Sequence, residues 1–455
     1  MIISHTIWRG FMSEVNFVRN LTGKELVVFG LSLMAPITIF TTFGIASEVT
    51  DSRVPLAYLF AALALSLTGY CYAQMVKAFP ISGSAYSYVH RAVNSKVGFL
   101  VGWALLTSYA LLPMVNYLVA AIFLHSILPQ IPYEFWIILL IVLNTLINIK
   151  GTKMASWVNS LLLIYSFLVV VIFSLLSIRY VLASNEVSSL FTLTPILGSG
   201  FEMSMIMAGA SLLCFSYLGF DSITTLAEEV VEPKKTIPRA IYTIIAIGTF
   251  TFVVVSYLGT LVQPNYRNFS NLDSAAVELV TMVGGNLFVS FFLAGTLIGC
   301  FASGLASQAS ASRVLYAMGR DNMLPKVFAK LSPKYKTPVF NLLLIAAISL
   351  LSFVLTLTLA TSFINFGALI AFLFVNVSVV FHYYVKNNKR SFGATIKYLF
   401  IPSLGALFII YLLFKLDSIS IIFGIVWGSL GVCYLIYLVK FKGMSTINLK
   451  FSEEG

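Results

Sequence analysis

Residues 209–221 read Gly209-Ala-Ser-Leu-Leu-Cys-Phe-Ser-Tyr-Leu-Gly-Phe-Asp221. The segment is apolar enough for lipid, yet it turns polar and glycine-marked at its middle and ends on a carboxylate. In a bilayer an unpaired backbone N–H or C=O costs several kcal/mol, so a membrane helix breaks only where protein or a water-filled cavity satisfies the freed groups. A second segment has the same character. Residues 26–47 contain Gly30, Pro36 and Gly44 with Thr38, Thr41 and Thr42 at mid-depth, and Pro36 removes one helical donor and clashes with the carbonyl four residues back.

The rest of the chain supplies the membrane setting. Of 455 residues, 59% are hydrophobic and only 10% charged, with a mean hydropathy of +0.94; soluble domains carry about 25% charge. This composition excludes a disordered chain, a collagen-like repeat, a disulfide scaffold and an ordinary soluble enzyme. Stretches without Asp, Glu, Lys or Arg cover 54–76, 97–133, 154–178, 240–266, 279–312 and 337–385. About 20 apolar residues cross the hydrocarbon layer, so the last of these holds two spans. The reading is an all-α polytopic membrane protein with twelve transmembrane helices, at 26–47, 54–76, 97–124, 134–149, 154–178, 205–227, 240–263, 285–312, 339–358, 362–385, 398–414 and 418–439.

Charge orients them. With a cytoplasmic N-terminus and alternating connections, 24 Lys and Arg fall on inner segments and four (Arg53, Arg179, Arg267, Lys415) outside, whereas the acids divide eight and eight around Asp221. Lys and Arg, rather than net charge, follow the inside. The formal charge of +11 is therefore topological and implies no nucleic-acid partner. The expected location is the inner or plasma membrane, with both termini cytoplasmic. Met1–Asn20 shows no signal-peptide pattern, and Met12 is an alternative start.

Cys71, Cys214, Cys300 and Cys433 each lie alone in apolar runs, and His5, His90, His125 and His382 share no ligand spacing, so no metal site is expected. No phosphate loop, catalytic triad or nucleotide signature is present. The expectation is no enzyme, no cofactor and no ATP drive.

The two interruptions fall in spans 1 and 6, corresponding members of two five-helix units. Such matched breaks are the strongest sequence pointer to a transporter's binding site. A half-helix N-terminus suits a carboxylate and a half-helix C-terminus suits an ammonium. N–H groups near Thr38, Ile39 and Phe40, beside Pro36 and Ile37, are candidates for an anion; carbonyls near Phe215, Ser216 and Tyr217, next to Gly219, are candidates for an amine. A packing kink is the alternative reading of each break.

Four stretches then resemble the amino acid–polyamine–organocation permeases. They are Phe215-Ser-Tyr-Leu-Gly-Phe-Asp-Ser-Ile-Thr-Thr-Leu-Ala-Glu228-Glu229 followed by Glu232-Pro-Lys-Lys-Thr-Ile-Pro-Arg239, Pro80-Ile-Ser-Gly-Ser-Ala-Tyr86-Ser-Tyr88, Gly98-Phe-Leu-Val-Gly-Trp103, and Tyr316-Ala-Met-Gly-Arg320-Asp321-Asn-Met-Leu-Pro325. Within that family, Ala35-Pro-Ile-Thr-Ile-Phe-Thr-Thr-Phe-Gly44, Pro113-Met-Val-Asn116 and Ile364-Asn-Phe-Gly-Ala-Leu are most similar to the putrescine importer branch. The resemblance implies a five-plus-five inverted repeat with two added helices: a cytoplasmic segment 1–23, repeats at 24–183 and 203–385, spans 11 and 12 at 397–441 and a tail at 442–455. It also implies alternating access, usually proton-driven, with substrate between spans 1, 3, 6, 8 and 10. Oligomeric state is not legible.

Two departures bear on chemistry. Putrescine importers of this kind carry acids where this chain has Thr41 and Ser108, which favours an amino acid over a diamine. Many proton-coupled relatives have a lysine in helix five where this chain has Ser166.

Asp221 remains the one acid well inside a span. A charge there is costly and is read by default as functional, as amine ligand or coupling group; a cap on the second half of helix six is the competing role. Tyr109 and Asn116, seven apart on span 3, share a face that lines a cavity or packs a neighbour. Asn365 is a further cavity candidate, whereas Gly295 and Gly299 suit close helix packing. Glu228, Glu229 and Arg239, with Lys234, Lys235, Arg91, Arg313 and Arg320 nearby, form either an inner gate or a solvated face. A transporter-like receptor that binds without turnover is the alternative of another class.

Overall fold

The computed structural model describes residues 17–184, 190–197, 202–270, 272, 275–355, 357–416 and 418–441. The start of the predicted cytoplasmic segment, with Met12, and the 442–455 tail lie outside the described residues. Among the described residues the chain is helical, its one β feature an isolated parallel bridge between Leu21 and Val230.

Nine helices among the described residues are long and apolar enough to cross a membrane, and the pair Gly23–Met34 and Thr38–Val49, bent by 43°, makes a tenth if it is counted as one span. Tyr133–Ile149 and Val339–Phe353 are apolar but shorter. The broken pair begins on a capping box, Thr22 with Glu25, which satisfies orphan N–H groups of the first turn. It is interrupted at Ala35, whose φ of 42° is unusual for a residue with a Cβ.

Span 8 departs from the sequence reading at its far end. Two helices meet within Ala275–Arg320 at the non-helical Gly285, the predicted start of the span, and the second runs on to Arg320, past the predicted end at 312. Charge-free windows end a span at the first charge, here Arg313, but a paired charge can stay inside a helix. Span 3, Ser95–Ile127, continues through Pro113 without interruption.

Packing places spans 1, 3, 6 and 8 at the centre. Span 8 lies along span 3 and along span 5 (Thr152–Ala183), span 7 (Pro233–Val262) lies along span 2 (Val54–Ala78), and span 10 (Leu357–Val379) lies along span 3. In its most apolar window span 3 is 78% buried, against 22% for Phe392–Phe414 and 17% for Ser418–Lys440. The last helix is docked by Trp103 and Trp427, whose rings stack at 4.8 Å and whose indole N–H groups each donate to the other's carbonyl at 3.0 and 2.9 Å.

Candidate functional site

Span 6 loses its α-helix at Leu213 and continues as two 3-10 turns, Cys214–Tyr217 and Ser222–Leu226. Backbone groups freed in a buried stretch need partners, and the local sequence supplies them. Ser222 Oγ donates to the Gly219 carbonyl at 2.7 Å, Thr224 Oγ1 to the Asp221 carbonyl at 2.7 Å and Thr225 Oγ1 to the Ser222 carbonyl at 2.6 Å. The run Asp221-Ser-Ile-Thr-Thr thus stabilises its own non-α backbone.

Gly219 joins the two interrupted spans. Its φ is +141°, and a Cβ there would lie 2.6 Å from the Gly30 carbonyl oxygen and 2.9 Å from the Met34 nitrogen. Only a residue without a side chain allows this approach.

Asp221 is fully buried. Its carboxylate accepts the Tyr109 hydroxyl at one oxygen and the Gly219 N–H at the other, the latter at 3.3 Å. The side chain therefore turns back across the break and ties span 6 to span 3. Tyr72 is a second buried tyrosine within electrostatic reach of this carboxylate.

The break in span 1 is satisfied differently. Ser303 of span 8 donates to the Leu33 carbonyl at 2.9 Å, and Thr38 Oγ1 donates to the Met34 carbonyl at 3.2 Å. Asn116 donates to Ser303 Oγ at 3.1 Å, so a polar chain runs from span 3 through span 8 to the end of the first half-helix. Ile37 enters span 8 at Gly295 and Gly299, with Ser166 beside it. These glycines make room for the break, and Ser303 is a residue whose role sequence reasoning missed. Its only signal was a position in a small, polar stretch.

Two of the expected anion donors are engaged within the chain. Thr38 N–H donates to the Ala35 carbonyl at 2.8 Å and Phe40 N–H to Ile37 at 3.1 Å, because the chain tightens into short turns on re-entering the helix. Pro36 and Ile39 lie buried in the same turn. Among the expected amine acceptors, the Phe215 carbonyl already receives Leu218 N–H at 3.2 Å. Ser216 and Tyr217 are fastened to span 2: Tyr58 Oη lies 3.3 Å from Ser216 Oγ, and Tyr217 donates to the Tyr58 carbonyl at 3.2 Å.

Thr41 is exposed, as are Ile45 and Glu48 about one and two turns further along the same helix face. Ser108 is buried and donates to the Ile364 carbonyl at 2.6 Å. This contact places span 3 against span 10 next to the half-buried Asn365.

At the predicted inner end the charges form a defined set. Arg313 Nε pairs with Glu229 at 2.5 Å with both side chains buried, and Arg320 pairs with Glu228 at 2.6 Å. The Ser82 N–H donates to the same Glu228 oxygen at 2.9 Å. Arg239 is exposed on the far side of Pro238, so the ion pairs run to span 8 rather than to the basic cluster after Glu232. The N-terminal segment closes over this set. Asn20 and Leu21 N–H groups both donate to the Glu229 carbonyl at 2.9 Å, Val231 N–H returns to Leu21 at 3.0 Å, and the Phe17 ring stands edge-on to Tyr316 under Arg313.

The arrangement has the chemistry of a small-solute site: two half-helix ends, hydroxyl groups, aromatic rings and one buried carboxylate, with ion pairs at the predicted inner end. Comparison with known proteins agrees. The amino acid permease family model matches residues 25–444. The low-affinity putrescine importer PlaP of Escherichia coli is 34% identical over 430 residues, covering 94% of this chain and 95% of that protein. The methylthioribose transporter of Bacillus subtilis is 26% identical over 457 residues, 95% of each chain. The branched-chain amino acid permease BcaP of Lactococcus lactis is 26% identical over 443 residues, covering 92% and 94%. Helices of membrane length and a match along nearly the whole chain lead to one conclusion: this protein is a multi-pass membrane transporter and belongs to the amino acid permease family.

Proposed function

We propose that the chain imports an amino acid or a related small amine by alternating access between an outer and an inner opening. The bent pair counts as one span and the two short apolar helices count as spans 4 and 9, which gives twelve crossings with broken spans 1 and 6 in a five-plus-five repeat. The observation that carries the substrate reading is the state of the acids. Asp221 is engaged by Tyr109 and Gly219, and Ser108 is committed to the Ile364 carbonyl. A zwitterion brings its own carboxylate and needs only the electropositive N-terminus of Thr38–Val49 and the span 6 carbonyls, such as those of Ser216 and Tyr217. A diamine needs two anionic partners. The exposed Thr41 face beside a sealed inner mouth fits an outward-facing state, with Glu228 and Glu229 as the inner gate. A proton gradient is the proposed driving force, with Asp221 as the group placed to sense it and no cofactor.

Putrescine is the second reading, favoured by the 34% identity to a putrescine importer across 94% of the chain. Uptake of labelled putrescine and a panel of amino acids into proteoliposomes, with and without an imposed proton gradient, decides between them. Saturable amino-acid uptake that responds to the gradient is expected. A higher kcat/KM for putrescine than for every amino acid overturns the substrate reading, and binding without counterflow makes the protein a receptor.

A further inference from the structure

The connection between spans 2 and 3 reaches both the tyrosines beside the buried carboxylate and the Glu228–Arg320 pair. At Gly83 φ is +115° and at Ser84 it is +53°. Two successive left-handed residues are unusual, and for the serine the conformation is strained. Both lie in a turn that is buried through Ser82 and Ser84. Such strain persists only where the surroundings hold it, and it clusters at working sites.

One end of this turn belongs to the gate. Ser82 N–H donates to Glu228 Oε1, the oxygen that Arg320 also holds. A Cβ on Gly83 would overlap Ser87 and Ala317, the latter one helical turn before Arg320. Two residues after Ser82, the hydroxyl of Ser84 lies beside those of Tyr72 and Tyr109, the two tyrosines that flank Asp221. In this conformation Ser84 Oγ and Tyr72 Oη complete no hydrogen bond, although buried hydroxyl groups ordinarily do. Ser84 therefore has an unused donor and acceptor facing the Asp221 cluster, while the peptide two residues earlier grips the gate.

We infer that the Ser82–Gly83–Ser84 turn is a coupling element: it transmits the charge or ligand state of Asp221 to the Glu228–Arg320 gate, with Ser84 as the positioning residue. When Asp221 changes state, Tyr109 is released or held, and its hydroxyl and that of Tyr72 exchange partners with Ser84. The strained turn has a second arrangement available, and moving it draws Ser82 N–H off Glu228. The inference rests on the alternating-access reading but not on the identity of the substrate.

The test is a double-mutant cycle read by hydrogen exchange in lipid nanodiscs. The amides of Asn20, Leu21 and Val231 bond across the inner mouth, so their protection reports its closure whether or not any solute is carried. In the wild type, Asp221→Asn is expected to change that protection by at least about fivefold, the lower end for linked sites. With Ser84→Ala the same substitution is expected to change it by less than about twofold. Ser84→Gly keeps the left-handed backbone, relieves its strain and removes the hydroxymethyl group; it is expected to uncouple equally and, in uptake, to lower kcat with KM retained. An Asp221→Asn effect of equal size in the wild-type and serine-substituted proteins overturns the inference, as does no effect in either. Full coupling in Ser84→Gly overturns the role of the hydroxyl. Failure of every candidate solute to enter proteoliposomes counts against the proposed function instead, and leaves the exchange cycle interpretable.

Discussion

The two interrupted spans are built differently. Span 1 breaks abruptly over Ala35–Ile37, and its freed carbonyls are capped by hydroxyls from Ser303 and Thr38. Span 6 unwinds over a long stretch, caps its own carbonyls with Ser222, Thr224 and Thr225, and carries a buried carboxylate held from span 3. On the proposed reading, the first break offers a substrate mainly backbone dipoles and the second adds a charge. The residues at each break would then decide which one binds and which one also switches.

Substitutions test this contrast, beginning with the largest effect. Glu229→Gln leaves Arg313 buried without its counter-charge, and breaking a buried pair costs about 3–5 kcal/mol. With Glu228 and Glu229 as the proposed inner gate, the expected result is a shift towards an inward-open state that hydrates Arg313, measured as lost exchange protection at Leu21 and Val231; unchanged protection removes the ion pair from the gate. Gly219→Ala drives a Cβ into the Gly30 carbonyl and Met34 amide and forces a left-handed φ, a combined penalty of about 2–4 kcal/mol. A fall in melting temperature with loss of uptake is expected, and normal stability would show that the two breaks do not meet.

Asp221→Asn is expected to lower uptake by about 10–100-fold while the melting temperature changes little, consistent with a hydrogen bond to a charged group worth about 1.5–3 kcal/mol. Equal loss on the two measures would make Asp221 a structural tie. Ser303→Ala, the matching change at the first break, should cost about 1–3 kcal/mol of stability by leaving the Leu33 carbonyl uncapped, with the pH response of uptake intact. If Ser303→Ala abolishes that response, the first break switches as well.

The smallest effect concerns the inner mouth. His90, in the connection Ser84–Ala92, is buried with neither ring nitrogen hydrogen-bonded. Burial pushes its pKa down; Asp321 opposes this, while Arg91 and Arg320 add to it. The folded protein therefore favours neutral imidazole. That contribution to stability is complete above the ordinary histidine value of about 6.5 and is lost as pH falls from there through the depressed folded value. Melting temperature measured between pH 5 and pH 7.5 should fall on the acid side for the wild type, and His90→Gln should flatten the curve.

Composition and charge spacing make the membrane class legible, and glycine, proline and hydroxyl residues mark both breaks. Boundaries are less legible where a charge falls inside a span. Arg313 sits inside the Ala275–Arg320 helix because Glu229, 84 positions away, neutralises it. Pairing across that separation is invisible to a local window. The same limit hid Ser303, Tyr72 and Ser84, each unremarkable among its neighbours in sequence. It also hid the short turns that consume Thr38 and Phe40 N–H groups, since re-entry geometry depends on what packs against Ile37.

The chain by itself determined the solvent in which it folds, the regions where its helices are weak and the family to which it belongs. These follow from transfer energies and backbone chemistry, which act residue by residue. Only the tertiary structure decided that Asp221 faces Tyr109, that Arg313 meets Glu229 and that one strained turn reaches both neighbourhoods. Those facts depend on which surfaces of distant helices are pressed together. Hydrogen bonds and ion pairs reach only about 3–4 Å, so proximity in space, rather than order along the chain, selects the partners.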